Sequence, residues 1–427
     1  MLKTLGALAA LAVAGAAPVP TLDTREYPSL SYYGYMNQPS SPATSTARLP
    51  VINKASQPIE FHDASNEGAV NANKARAALM RAEGLSHKTW EVSTFFQAKA
   101  ELYGVTEHNW SSKAFAAQQP GDPAVREATD KLGALLDIAG DGYLVNSDRG
   151  SQADVFSLVP AVWASGKQDA AKNMVAWLRT QGVRSGDIYS HRGDRQSLWS
   201  DEGYMIPPVL AFLGLVQDDV SLLSEALEQW TKVADALADE RGTFRHVPSE
   251  FDPHAWTSGT GWMLMGLARV FASITEAGHE AEFTAQINVA KDMARRALFA
   301  AYGAQTPDGR IPNYSDRDSP AETAGTAAVT AAYYRLLLQH PSTFGDEWLF
   351  AAAEKAYDGV MKQVSDDGTV SGCVDPSGAD FNNANISDSP EGHAFVPLMW
   401  AARNAWLGHH PDGKLPKGQQ EQTGAAV

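Results

Sequence analysis

Two aspartates each open an apolar, small-residue-rich stretch: Asp154 in Gln152-Ala153-Asp154 and Asp201 in Trp199-Ser200-Asp201-Glu202-Gly203. A carboxyl at the start of a buried helix holds and releases a proton when burial and a neighbouring carboxylate disfavour its charge. The same position also suits an ordinary capping acid, which the helix dipole favours. Trp199 and Tyr204 flank Asp201, and a later polar loop carries His246, His254 and Trp256, with Ser258 and Trp262 just beyond. Flat aromatic faces edged by polar groups suit a sugar-binding pocket. Trp256 is expected on the accessible side and Trp262 in the core, while either histidine is placed to orient a water or a hydroxyl. Glu202 and Glu322 are reserve acids. If Glu322 faced Asp201 across a mouth, the pair would suit a conventional inverting or retaining hydrolase. Asp141, Asp148, Asp388 and Glu391 read as helix caps or solvated loop acids.

Other chemistries lack their signatures. The eleven histidines include no His-Glu-x-x-His, and there is no Gly-x-Ser-x-Gly elbow and no phosphate loop. A single cysteine, Cys373, leaves no intrachain disulfide or thiolate cluster and reads as a small buried hydrophobe. No metal and no organic cofactor is expected. The net charge of −16, with no basic run, argues against nucleic acid and against an anionic membrane as partners. It also disfavours gripping a long acidic polymer, leaving a short acidic ligand in one pocket.

These residues need elements to position them, and the pattern supplies two kinds of helix. Pro123–Leu136, Ser221–Leu237, Phe283–Leu298 and Asp346–Val364 are amphipathic and charged. Glu91–Leu102, Asp154–Ser165, Gly203–Gly214, Gly259–Phe271, Thr323–Leu336 and Gly392–Ala405 are apolar nearly all round, as helices buried on every side must be. The two kinds alternate as a loose repeat, and alternating β-branched runs are nearly absent. Six buried helices inside six amphipathic ones predict an all-α (α/α)₆ barrel, with an open solenoid of hairpins as the alternative. In the barrel, the polar starts of the inner helices gather on one rim.

Domain organisation follows. Residues 1–17 read as a signal peptide, with Lys3, an apolar run from Leu5 to Gly15 and Ala14-Gly15-Ala16 as the cleavage region. Residues 18–70 read as an extended leader, 71–408 as one barrel domain and 409–427 as a disordered tail. Sequons at Asn109, Asn313 and Asn385 add to the expectation of a secreted glycoprotein. No pattern speaks to the oligomeric state.

Several motifs, in order, resemble a known family. Lys88-Thr89-Trp90-Glu91 and Gln152-Ala153-Asp154 with Trp163-Ala164-Ser165-Gly166 are similar to its first two inner-helix starts. Trp199-Ser200-Asp201-Glu202-Gly203-Tyr204-Met205 and His254-Ala255-Trp256-Thr257-Ser258-Gly259-Thr260-Gly261-Trp262 match the next two. Glu322-Thr323-Ala324-Gly325-Thr326-Ala327 and Pro390-Glu391-Gly392-His393-Ala394-Phe395 complete the series. Together, over residues 75–405, they resemble the unsaturated glucuronyl and rhamnogalacturonyl hydrolases, glycoside hydrolase families 88 and 105 of the six-hairpin glycosidases.

The resemblance implies a cofactor-free hydration of short oligosaccharides that end in a 4,5-unsaturated uronic acid. It makes Asp201 the acid and base. Asp154, which opens the preceding inner helix, is the candidate carboxylate neighbour, and Trp90, Trp199, Tyr204, His246, His254, Trp256 and Ser258 are the candidate sugar-binding set. Where the family carries an arginine this chain has Ser258, and Arg192, Arg195 or Arg245 is a candidate replacement. The alternatives are a hydrolase or lyase on saturated uronic-acid glycosides, or a non-catalytic carbohydrate-binding barrel.

Overall fold

A computed structural model of the chain describes residues 62–63, 65–103, 126–375 and 386–415. The expected signal peptide, most of the expected leader, the sequons at Asn109 and Asn385, and the tail beyond Leu415 lie outside those residues. A helix already begins at Asn66, inside the stretch read as leader, and Leu415, within the stretch read as tail, packs on the core.

The helices pair into six hairpins. α1 (Asn66–Leu85) precedes the inner α2 (Thr89–Leu102), and α3 (Arg126–Leu135) precedes α4 (Gln152–Phe156) and α5 (Val159–Ala164). α6 (Gln168–Gln181) is followed by α7 (Glu202–Met205) and α8 (Pro207–Gln217), and α9 (Val220–Leu237) by α10 (Thr257–Ala277). α11 (Thr284–Gly303) leads to α12 (Thr323–Gln339), and after the short α13 (Pro341–Phe344), α14 (Glu347–Met361) leads to α15 (Pro390–His409).

The expected single segments Asp154–Ser165 and Gly203–Gly214 are each two helices. Pro160 in the first, and Pro207 and Pro208 in the second, remove backbone donors and force the chain to restart.

Outer helices show why they lie outside. In α9, Leu223, Leu227, Trp230, Ala234 and Leu237 fall three or four apart and are buried, while Asp219 caps the first turn through the Ser221 and Leu222 amides. α14 is capped in the same way by Asp346. By contrast, α10 is buried without interruption from Thr257 to Ile274. Each large aliphatic or aromatic side chain in that interior contributes about 1.5–3 kcal/mol over its exposed state.

Neighbouring inner helices pack in sequence around the ring, and α15 packs against α2 and α1, so the array closes as a barrel rather than extending as a solenoid. Among the described residues, strands are confined to two antiparallel pairs, β1 (Arg184–Ser185) with β2 (Ile188–Tyr189), and β3 (Ile311–Pro312) with β4 (Ala321–Glu322). The second pair fixes Glu322 at the start of α12. No helix among the described residues is long and apolar enough to cross a membrane.

Two inner helices touch almost backbone to backbone. A Cβ on Gly266 of α10 would overlap the Gly203 carbonyl oxygen, and a Cβ on Gly203 would overlap the Met263 thioether. Gly266→Ala is therefore expected to lower the unfolding free energy by about 1–3 kcal/mol through overpacking. Gly84→Ala, where no neighbouring atom lies within 4 Å, should be neutral or stabilising. Urea titration of the two variants measures both.

Candidate active site

Asp201 stands at the first turn of α7, its side chain 16% exposed and so reachable from the mouth. The Ser200 amide donates to the His246 carbonyl, tying this turn to the loop that carries the histidine. His246 Nε2 then lies 3.5 Å from Asp201 Oδ2. On its other side, His246 Nδ1 is 2.9 Å from Asp252 Oδ2, and the Tyr314 hydroxyl donates to the same oxygen at 2.8 Å.

Burial alone would push the Asp252 carboxyl up, but the hydrogen bond and charge of His246, with the Tyr314 hydroxyl, bring it below its usual range. Asp252 is thus a fixed anion that holds a proton on His246 Nδ1. That leaves Nε2 facing Asp201 at 3.5 Å.

Asp154 has a parallel arrangement. Ser151 Oγ donates to Asp154 Oδ2 at 2.6 Å, and His191 Nε2 lies 3.1 Å from Ser151 Oγ and 3.5 Å from Asp154 Oδ1. A single indole joins the two centres. Trp199 stacks flat on His191 at 4.3 Å and meets His246 edge-on at 5.7 Å, while its Nε1 donates to Ser197 Oγ. The two aspartate–histidine pairs therefore share a wall.

More carboxyls ring the mouth. Five of the six inner-helix starts carry one: Glu91, Asp154, Asp201, Glu322 and Glu391, with Ser258 at the sixth. Unpaired N–H groups at helix N-termini favour acids there. Glu322 accepts the Ala324, Gly325 and Val374 amides, yet burial lifts it to about 7. Glu391, which accepts the Trp90 indole N–H at 2.9 Å, is lifted to about 7 by burial and by the neighbouring Glu91. Asp148 is raised to about 6 by burial and by Asp154. Glu202, behind Asp201, is fully buried with no hydrogen-bond partner for Oε2, and burial with the Asp201 charge keeps it well above its normal range.

The sequence-predicted residues separate into groups. Asp201, Trp199, His246 and Trp256 come together, and Asp154 joins them through His191. Trp256 is not accessible as expected: it is 5% exposed, packs on His246 at 4.4 Å and donates its Nε1–H to Asn313 Oδ1, because an indole N–H inside the fold needs an acceptor. Asn313 is fully buried in that bond, which closes its sequon to a glycan. Tyr204 is no stacking platform either. It lies 1% exposed in the barrel interior, donating to Gln97 and covered by the Arg269 guanidinium.

Trp90 is half-buried at the rim, with Lys88 over its ring. His254 is half-exposed and bonded to Asp316. Ser258 lies against Gly325 at the start of α12. Of the candidate replacements, Arg192 is buried beside Asp148, held by Asp194; Arg195 bonds Glu250 and Asp194; Arg245 donates to the Ala238 carbonyl. Trp262 and Cys373 are core residues, as expected.

Asp148 and Glu391 are not solvated loop acids but members of the mouth, whereas Asp141 does pair with Arg149 on a loop. His191, Asp252 and Tyr314 were missed. So was Phe251, 44% exposed and in edge contact with Trp199 and His246, which is an accessible aromatic beside Asp201.

Comparison with known proteins bears on the family and the fold. The profile of Glycosyl Hydrolase Family 88 matches residues 84–404. The fold is similar to a possible GH105 member from Salmonella enterica serovar Paratyphi A, with a TM-score of 0.61 at 16% identity, covering 79% of this chain and 94% of that one. It is also similar to a possible GH105 member from Klebsiella pneumoniae (TM-score 0.59, 18% identity, 85% and 100% covered). An unsaturated glucuronyl hydrolase specific for heparin superimposes with a TM-score of 0.53 at 13% identity, covering 81% and 98%. No curated protein sequence matches.

The raised Glu391 carries a stability consequence. Its folded value of about 7 exceeds the ordinary 4.5, so between those values the folded state binds the extra proton and stability falls as pH rises. Glu391→Gln keeps an acceptor for Trp90 and removes that dependence. Denaturation midpoints at pH 5 and pH 8 should show the variant gaining on the parent by on the order of 1–3 kcal/mol at the higher pH.

Proposed function

The chain belongs to glycoside hydrolase family 88, and on that premise we propose that it releases a 4,5-unsaturated uronic acid from the non-reducing end of short oligosaccharides. The observation that carries this reading is the partly open Asp201 carboxyl facing His246 Nε2, itself held by the Asp252 anion. Asp201 gives its proton to C4 of the enol ether, and a water adds at C5 while the same carboxylate takes a proton from it. The hemiketal so formed opens and frees the rest of the chain. His246 lies beside Asp201 at 3.5 Å, and His191, paired with Asp154, stacks on Trp199.

The substrate carboxylate must enter a mouth crowded with acids. Burial keeps Glu322 and Glu391 largely neutral under mildly acidic conditions, and the buried Arg192, paired with Asp194, lies near Asp148. Ser258 favours a second reading, in which the bond cleaved is that of a saturated uronide.

One assay separates the two. Hydration removes the far-ultraviolet absorbance of an unsaturated uronide, so the band should decay with lyase-generated disaccharides. It should decay about 10²–10⁴-fold more slowly with Asp201→Asn. A stable band across a panel of such disaccharides sinks the leading reading in favour of the saturated one.

We also infer that residues 1–17 direct export and that the enzyme works outside the cell. Expression in a secreting host should then yield medium protein whose intact mass starts near residue 18. Retention of Met1 on cell-associated protein contradicts export.

A further inference from the structure

A groove of about 700 Å³ lies on the far side of the segment that holds Tyr314. Its walls are Arg241 and Ser315 on one side and Arg296, Phe299, Ala300 and Gly303 of α11 on the other. Arg241 donates to the Ser315 carbonyl and pairs with Asp239, so its guanidinium braces the two loops together. The Arg296 stem lies against Gly242, where φ is +93° and a Cβ would press on the Arg296 Cβ; the turn leaves that space to the arginine. The Arg296 Nε donates to the Asp292 carbonyl, and no ion pair neutralises its guanidinium among the described residues.

An aromatic surface adjoins these cations. Phe299, in the groove wall, stacks parallel with Trp348 at 5.4 Å and an interplanar angle of 10°. Trp348 remains 48% exposed, so its outer face is open to a ligand. Arg295 covers the Phe299 ring and pairs with Asp346. The floor is contiguous with the active-site wall: Ser315 follows Tyr314, whose hydroxyl binds the Asp252 that holds His246.

We propose that this groove is an accessory site for an anionic oligosaccharide, with Arg296 and Arg241 meeting uronate carboxylates and the exposed Trp348, stacked on Phe299 at the groove edge, meeting the face of a sugar ring. This rests on the reading of the substrate as a uronic-acid-containing oligosaccharide. Charge argues for that occupant: on a chain of net charge −16, an unneutralised guanidinium beside a flat aromatic pair is a local exception that attracts an anion with ring faces. Size agrees, since pockets for molecules of a few rings span about 300–1,000 Å³. The site holds the chain beyond the cleaved end and raises its local concentration at the mouth.

The test uses the full chain carrying Asp201→Asn, so that no turnover interferes, with tetragalacturonate as probe and maltotetraose as a neutral control of equal length. Calorimetry should show a groove event for tetragalacturonate that weakens with added salt and is absent for maltotetraose. Arg296→Ala with Trp348→Ala should weaken it about five- to tenfold or abolish it. In the otherwise native enzyme the same pair should leave kcat and KM for an unsaturated disaccharide unchanged and raise KM for the longer tetrasaccharide. Unaltered disaccharide turnover also reports that the double variant is folded.

Undiminished tetragalacturonate binding by the double variant, or equal binding of maltotetraose, overturns the accessory site. Absence of turnover on every unsaturated oligosaccharide, with salt-sensitive groove binding intact, overturns only the proposed reaction.

Discussion

The mouth of this barrel depends on how closely the backbones of α7, α10 and α12 approach one another. Gly203 and Gly266 let α7 sink onto α10, and Gly325 lets the first turn of α12 meet Ser258. Side chains at these positions would hold the helices apart. With them in contact, the Ser200–Asp201 turn reaches the His246 loop, and Glu322 comes against the start of α10. Helix packing with small residues at the contact thus does more here than fill the core: it sets the distance between Asp201 and His246.

A second consequence is electrostatic. Converging helix N-termini create a ring of partial positive charge, and the sequence answers with carboxyls at five of six positions. Burial raises two of them, Glu322 and Glu391, to about 7, so under mildly acidic conditions the rim carries less charge than its composition implies. Asp252, held below its usual range by His246 and Tyr314, lies behind the histidine.

Much of the fold was legible because periodicity is a local property. Apolar residues all round a segment can only mean burial, so the six inner helices and the place of Asp154 and Asp201 at their starts followed directly. What failed were statements about side-chain surroundings. Trp256 reads as a rim aromatic until Asn313, 57 positions later, arrives to accept its indole proton. Tyr204 reads as a sugar platform until Gln97 and Arg269 claim both its ends. Asp252 and Tyr314 are individually unremarkable loop residues whose meaning is their distance from His246, and no spacing rule links positions 62 apart. The glutamate at 391 looks like a first-turn acid, and it is one, but its partner Trp90 comes from the other end of the domain.

That last pairing bears on how the enzyme is made. Trp90 and Glu391 belong to the first and last inner helices, 301 positions apart, and His62 binds Asn404 across the same seam. A chain emerging from the ribosome can form its hairpins one after another, yet the ring stays open until nearly the whole domain has been synthesised. Until then α2 has an apolar flank with nothing against it, and the rim residue Trp90 has no acceptor. The chain is therefore exposed to misassembly for most of its synthesis, and loss of a few dozen C-terminal residues would remove not an appendage but the stave that closes the barrel.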